Sequence, residues 1–223
     1  VVVALFALMR TREMMRVPLV ARAKGQLREG ARYILDRPRL LWVVLLAGLM
    51  GAFGMNGPVV LAAFADFEWQ TGSGGFGLYN SVSAVGGLVG AVTAARMRTL
   101  RVRTVVIGAG IFAVAEALGA LSPNHAVFLV MLAVIGAATM FFLTSAATYV
   151  QLSAAPKVRG RVMAFYMPLL LGGHAAGGLI QGAFTEQLGV RGGLVLTGVC
   201  GLVATGIVAL ALRGHRARTE VRG

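Results

Sequence analysis

Two titratable side chains lie inside long apolar runs of this sequence. Glu116 is the only charged residue in the run 104–121, and His174 lies near the middle of the run 162–185. A buried carboxylate in lipid costs several kcal/mol unless it is paired or protonated, and histidine titrates near neutral pH. Both residues are therefore candidates for proton coupling, and His174 is also a candidate cavity residue. The alternatives are that Glu116, near one end of its run, reaches water, and that His174 is a hydrogen-bonded packing residue.

A second set of candidates is uncharged. Pro58 cannot donate a hydrogen bond to the carbonyl four residues earlier, so its helix should kink or open beside Asn56. The freed carbonyls and Asn56 could meet a substrate, with Phe53 as a cavity wall, or the kink could serve packing alone. Thr144 and Thr148 share one helix face, where they could line a cavity or bond back to their own helix.

No other pattern in the sequence is typical of catalysis. It holds no nucleophile elbow, Gly-rich phosphate loop, zinc motif or pair of catalytic carboxylates, and the single Cys200 allows no disulfide framework. A membrane-embedded enzyme would need titratable groups clustered at one depth, and only Glu116 and His174 approach this. We therefore expect no enzymatic activity, no metal and no cofactor.

The elements that position these residues follow from composition. The chain of 223 residues is 57% hydrophobic and only 13% charged, with a mean hydropathy of +0.79, whereas soluble domains carry about 25% charged residues. So few charges cannot cover an apolar core, and lipid must surround it. The fold class expected is all-α, a polytopic membrane protein.

Six charge-poor runs of 18 to 26 residues each have the length of one crossing helix. The six predicted transmembrane helices are 40–65, 76–95, 104–121, 126–150, 162–185 and 192–212, which together form a bundle over 40–212. Residues 1–8 are interpreted as the end of a truncated preceding transmembrane helix, 9–39 as a basic cytoplasmic linker and 213–223 as a cytoplasmic tail. Within the linker, the spacing over Gln26–Leu35 predicts an amphipathic helix, either on the membrane surface or solvated.

The positions of basic residues support this topology. Of the 21 Lys and Arg residues, 20 lie in alternate connections and Arg191 alone lies on the other side. Basic loops face the cytosol, so both ends of the segment should be cytoplasmic, in a multi-pass protein of the cell (plasma or inner) membrane. The net charge of +13 sits in short clusters between apolar runs, which argues against nucleic acid as a partner.

Glycine spacing predicts close helix contacts. The second run contains Gly86, Gly87 and Gly90, and the fifth contains two Gly-x-x-x-Gly pairs that begin at Gly173 and Gly178. Such spacing lets two helix backbones approach closely in lipid.

The connection before the fifth run resembles a known family. It reads Tyr149-Val-Gln-Leu-Ser-Ala-Ala-Pro-Lys-Val-Arg-Gly-Arg-Val-Met-Ala-Phe-Tyr166, similar to the loop before helix eleven in major facilitator superfamily exporters. The likeness is to the bacterial branch with the enterobactin exporter and related drug-efflux proteins. Segments 29–40 and 185–191 resemble the same branch around helices seven and eleven.

This resemblance implies helices seven to twelve, the C-terminal half of a twelve-helix transporter whose N-terminal six-helix half is missing. It further implies a proton-driven antiporter that exports a small amphipathic molecule, siderophore-like or drug-like, by alternating access. Arg159 and Arg161 would form a cytoplasmic gate loop that pairs with acidic groups, or would serve topology only. The expected partners are the lipid bilayer, the missing half and the substrate. The alternatives are a non-transporting membrane assembly or anchoring protein and a nonfunctional half-transporter fragment.

Overall fold

The computed structural model describes residues 26–97 and 99–220, with side chains described over 28–97 and 99–214. No β-strand occurs in this part of the chain, in agreement with the expected all-α class. The predicted helix end at 1–8 and the linker residues 9–25 lie outside the described residues.

Seven helices follow one another along the described chain. They are α1 (Gln26–Leu35), α2 (Pro38–Gly54), α3 (Gly57–Ala63), which runs into a π-helical turn (Phe64–Glu68), α4 (Gly72–Ala95), α5 (Val102–Ala120), α6 (His125–Ser153) and α7 (Arg159–Glu220). Five stretches are long and apolar enough to cross a membrane: 38–68, 72–95, 102–120, 125–153 and 159–214. The chain is therefore a polytopic membrane protein.

The interruption predicted at Pro58 is present. Helix α2 ends at Gly54 and α3 begins at Gly57, with Asn56 in the N-cap position. Proline is favoured in the first turn of a helix, where its missing N–H is not needed, so Pro58 starts α3 instead of continuing α2. The first apolar run is thus two helices with an opening between them.

Helix α7 reverses direction at Gly189, whose φ of 74° and ψ of 172° are non-helical. A Cβ built on Gly193 would lie 3.3 Å from Nε2 of Gln181, although residues 12 apart in a straight helix lie ~18 Å apart. Helix α7 therefore consists of a first arm, 159–188, and a second arm, 190–220. The predicted loop 186–191 is helical except at Gly189.

The predicted glycine contacts join two helix pairs. Helix α4 packs on α6, where a Cβ on Gly86 or Gly90 would overlap the carbonyl oxygen of Ala133 or Ala137. Helix α2 packs on the first arm of α7, where a Cβ on Gly173 would overlap another backbone carbonyl. The spacing that lets backbones approach in lipid thus marks real contacts.

The outside of the bundle is apolar. Leu179 is 80% exposed, and Val85 and Leu210 are each 67% exposed. A soluble domain rarely shows so many large apolar side chains to water. Such an apolar exterior fits a bundle embedded in lipid. One buried cluster lies between α2, α5, α6 and the first turns of α7, and a second lies between α3, α4, α6 and the start of the second arm of α7.

The connections alternate between two ends of the bundle, as the basic residues predict. Arg39, Arg101, Tyr149 and Arg213, from four separate elements, line one cavity at one end, here called the basic end. At the opposite end, Arg191 contacts the carbonyl oxygen of Ser122 at 2.7 Å. Basic connections therefore share one face of the protein.

Candidate functional site

A cavity of about 610 Å³ opens beside the interruption between α2 and α3; we call it the central cavity. Its walls come from the interruption itself, from α4 and from α6, with single residues from α5 and the second arm of α7. The lining is mostly apolar, and its polar side chains are Asn80, Ser83, Glu116 and Thr139. An apolar cavity with a few polar groups is the usual form of a small-molecule site.

Glu116 contributes the only charge in this lining. The residue is 6% exposed, and its Oε2 atom has no hydrogen-bond partner among the described residues. Leaving a buried acceptor without a hydrogen bond is costly. This carboxyl group therefore needs a proton, a ligand or water. The fold thus places the carboxyl group of Glu116 at a cavity.

Gly54 makes room for that carboxyl group. A Cβ at this position would lie 3.4 Å from Oε2 of Glu116 and would overlap the ring of Phe112. The last residue of α2 therefore has to be glycine for α5 to approach the interruption so closely. The helix opening and the buried carboxyl group are parts of one site.

Two other polar groups of the central cavity donate a hydrogen bond within their own helix. Nδ2 of Asn80 donates to the carbonyl oxygen of Phe76 at 2.9 Å, and Oγ1 of Thr139 donates to that of Ile135 at 2.7 Å. An amide nitrogen has two hydrogens and a hydroxyl has one, so Asn80 keeps one donor and Ser83, which also lines the cavity, keeps its own. The cavity thus offers an apolar wall, the acceptor oxygens of Glu116 and a few donors.

Asn56 does not line this cavity, although it lies at the interruption. It is 5% exposed, and its Nδ2 donates weakly to the carbonyl oxygen of Ala52 at 3.4 Å. A Cβ on Gly177 would lie 2.5 Å from the same Nδ2, and one on Gly178 would lie 3.4 Å from Oδ1. The structure therefore places Asn56 in the packing contact between α2 and α7.

His174 and Phe53 also lie away from the central cavity. His174 is exposed on the first arm of α7, and Phe53 is partly buried near the end of α2; neither contributes to the lining. The two proton-coupling candidates, His174 and Glu116, are therefore not brought into one site.

Thr144 and Thr148 lie further along α6 than the residues that line the central cavity, which end at Met140. Both are partly buried. Neither hydroxyl hydrogen-bonds to a carbonyl of its own helix, whereas that of Thr139 does. Their role in an inward cavity stays a prediction.

Arg159 and Arg161 open α7 at the basic end. Arg159 is exposed, whereas Arg161 forms a salt bridge with Glu29 of α1. The acidic partner found for the predicted gate loop is thus in the linker helix. The sequence did not indicate this pairing, because the two residues are far apart along the chain.

A polar cluster at the opposite end was also missed. The hydroxyl of Tyr79 lies 2.9 Å from Nε2 of His125 and 3.0 Å from Oγ1 of Thr71. Beside it, Nε of Arg191 donates to Oε1 of Glu68 at 2.5 Å. The one signal available was Arg191 itself, a lone basic residue on the side that otherwise lacks them.

No group of three or more His, Cys, Asp or Glu side chains that could hold a metal ion occurs within the described residues. The titratable group that the central cavity does contain is the carboxyl group of Glu116, which can exchange a proton or accept a hydrogen bond.

Apolar helices long enough to cross a membrane, one of them opened beside a buried carboxyl group and a cavity, define a polytopic membrane transporter. The chain belongs to the major facilitator family described as transmembrane secretion effector, whose family model matches residues 1–220. No curated protein matches the chain, and no solved structure does.

Proposed function

We propose that this chain forms helices seven to twelve of a major facilitator exporter, with the two arms of α7 as separate crossings. The exporter moves a small amphipathic molecule, siderophore-like or drug-like, out of the cytosol in exchange for protons. A six-helix N-terminal half supplies the other wall of the substrate path, and the two halves rock about it. The reversal at Gly189 and the resemblance of the connection 149–166 to the loop before helix eleven support this arrangement.

The observation that carries the proposal is the buried carboxyl group of Glu116, whose Oε2 atom has no hydrogen-bond partner among the described residues, at a cavity of about 610 Å³. In an apolar site, a carboxylate is tolerated only beside a cation, a donor or water. Substrate donors and a proton therefore compete for the same oxygen atoms. Protonation of Glu116 releases the substrate, and substrate binding releases the proton, which is the exchange that an antiporter needs.

The direction of insertion follows from the basic end. Lys and Arg are enriched in cytoplasmic loops, so the basic end faces the cytosol and both ends of the segment lie on that side. In this orientation, the interruption between α2 and α3 lies in the outer half of the membrane. The membrane is the cell (plasma or inner) membrane.

The test is efflux from cells or proteoliposomes that contain the native full-length protein. We expect E116Q to abolish the dependence of efflux on the proton gradient, whereas E116D keeps part of it. E186Q is the matched control, since Glu186 is an exposed carboxylate on α7, and it should transport as the native protein does. Proton-coupled efflux that persists in E116Q would overturn the role of Glu116, and the same loss in H174A alone would transfer that role to His174.

A second measurement separates a transporter from a non-transporting assembly or anchoring protein. Ser83 lines the central cavity, whereas Ser145 is 0% exposed. In a C200S background, a water-soluble thiol reagent should label S83C and leave S145C unmodified. If S83C stays unlabelled, the cavity has no aqueous path and the assembly role is favoured.

A further inference from the structure

A second cavity, of about 670 Å³, lies at the basic end. Four arginines line it: Arg39 at the start of α2, Arg101 and Arg103 at the start of α5, and Arg213 near the end of α7. None of the described residues that line it has a carboxylate. We call this site the basic cavity, and it is separate from the central cavity in both position and chemistry.

The four guanidinium groups have no salt-bridge partner among the described side chains. All four arginines are exposed, and the salt bridges between described side chains use other arginines. Like charges repel when they are held around one space. An anion in the basic cavity removes that repulsion, so the arrangement favours a negatively charged occupant.

The start of α5 adds backbone donors to the same cavity. Arg101 is the N-cap residue, no side chain caps the helix, and its first turn contains no acidic residue. The N–H groups of Thr104 and Val105 bond to the carbonyl oxygen of Arg101, which leaves those of Val102 and Arg103 for a ligand. The N-terminus of a helix attracts anions through these N–H groups and the helix dipole.

One wall of the basic cavity is aliphatic. Val106 and Ile107 of α5 and Leu212 of α7 line it, and Ile107 is 47% exposed on the outside of the bundle. A soluble anion makes no use of such a wall, whereas the acyl chains of a lipid lie along it. The arginines are placed where the apolar stretches of three helices begin or end, which is the depth of lipid headgroups.

We propose that the basic cavity binds an anionic phospholipid. The headgroup phosphate lies among the four arginines and the uncapped start of α5, and the acyl chains follow α5 and the second arm of α7. Basic pockets between transmembrane helices on the cytoplasmic side bind anionic lipid headgroups. The bound lipid joins the ends of α2, α5 and α7, so it stabilises the basic end.

Binding of phosphatidylglycerol to the purified full-length protein tests this proposal. In detergent micelles, phosphatidylglycerol should bind and raise the melting temperature, while phosphatidylcholine at the same mole fraction should do neither. Inorganic phosphate should not substitute for the lipid. Equal binding of both lipids would overturn the proposal, and so would full stabilisation by inorganic phosphate.

Matched variants locate the site. One arginine contributes about fivefold at an anionic surface, so R101Q/R103Q should weaken phosphatidylglycerol binding about 30-fold. R96Q/K157Q is the control, because Arg96 and Lys157 are exposed and lie outside the basic cavity. An equal loss in the control would show adsorption by net charge and contradict the site. R101K/R103K keeps the charge and should retain most of the binding, which distinguishes a binding defect from misfolding.

Discussion

Glu29 and Arg161 form a salt bridge between α1 and the first turn of α7, although 132 residues separate them along the chain. Beside this pair, a Cβ on Gly30 would lie 3.1 Å from the Cβ of Arg161. Helix α1 therefore rests directly on α7 and is neither a free linker nor in contact with lipid alone. We expect movement of the linker between the two proposed halves to act on α7 through this contact.

We expect Y33F to weaken the packing of α1 against the rest of the bundle more than E29Q does. The hydroxyl of Tyr33 donates to the carbonyl oxygen of Ser153 at 3.3 Å and accepts from the N–H of Ala155 at 3.0 Å. Removing these bonds should lower stability by about 1 kcal/mol. The side chain of Glu29 is 56% exposed, and surface pairs contribute about 0–1 kcal/mol. The melting temperature in detergent and the rate of proteolysis in the connection that follows α1 measure the effect of both variants. A larger effect of E29Q than of Y33F would show that the salt bridge, and not the hydrogen bonds of Tyr33, holds α1 in place.

Local patterns in the sequence predicted much of this fold. The amphipathic helix 26–35, the interruption at Pro58 and the close contacts of Gly86 and Gly90 follow from rules that act within one helix or one helix pair. The alternation of basic connections follows from the bilayer. Each of these features depends on a short stretch of sequence, which is why sequence alone was sufficient.

The candidate site could be predicted only in part. Glu116 was recognisable as a buried charge, but its position beside Gly54 depends on which face α5 turns toward α2. Asn56 lies at the expected opening, and of the two alternatives its side chain follows the packing one, because it fills the space that Gly177 and Gly178 leave on α7. A sequence shows small residues and polar residues separately, whereas their pairing across helices is a property of the tertiary fold.

G90A should separate α4 from α6. A Cβ at Gly90 would overlap the carbonyl oxygen of Ala137, a backbone atom that cannot move aside, whereas Gly206 has open space around it. Overpacking typically destabilises by about 1–3 kcal/mol, so G90A should lower the melting temperature. The control G206A should leave it unchanged or raise it, since alanine favours helix over glycine by ~1 kcal/mol. Equal melting temperatures in the two variants would show that α4 and α6 do not touch at this point.

G189A should strain the reversal of α7. Gly189 has a φ of 74° and a ψ of 172°, a region that is essentially restricted to glycine and costs other residues about 1–3 kcal/mol. No atom lies within 4 Å of a Cβ at this position. The loss of stability in G189A therefore measures backbone strain alone. Gly182, with similar open space but a helical backbone, is the control, and G182A should be neutral or stabilising. If G189A is as stable as G182A, the two arms form a continuous helix.

R191K should destabilise the opposite end nearly as much as R191A does. The guanidinium of Arg191 reaches three oxygen atoms at once: Oε1 of Glu68 at 2.5 Å and the carbonyl oxygens of Ser122 at 2.7 Å and Ala120 at 3.3 Å. A lysine keeps the positive charge, but its compact ammonium group cannot reach all three oxygen atoms at once. Each carbonyl left without a donor costs about 1–3 kcal/mol. Melting temperatures of R191K, R191A and E68Q measure the effect, and we expect E68Q to lose less because both carbonyl bonds remain. Native-like stability of R191K would mean that charge, not the shape of the guanidinium, holds this end together.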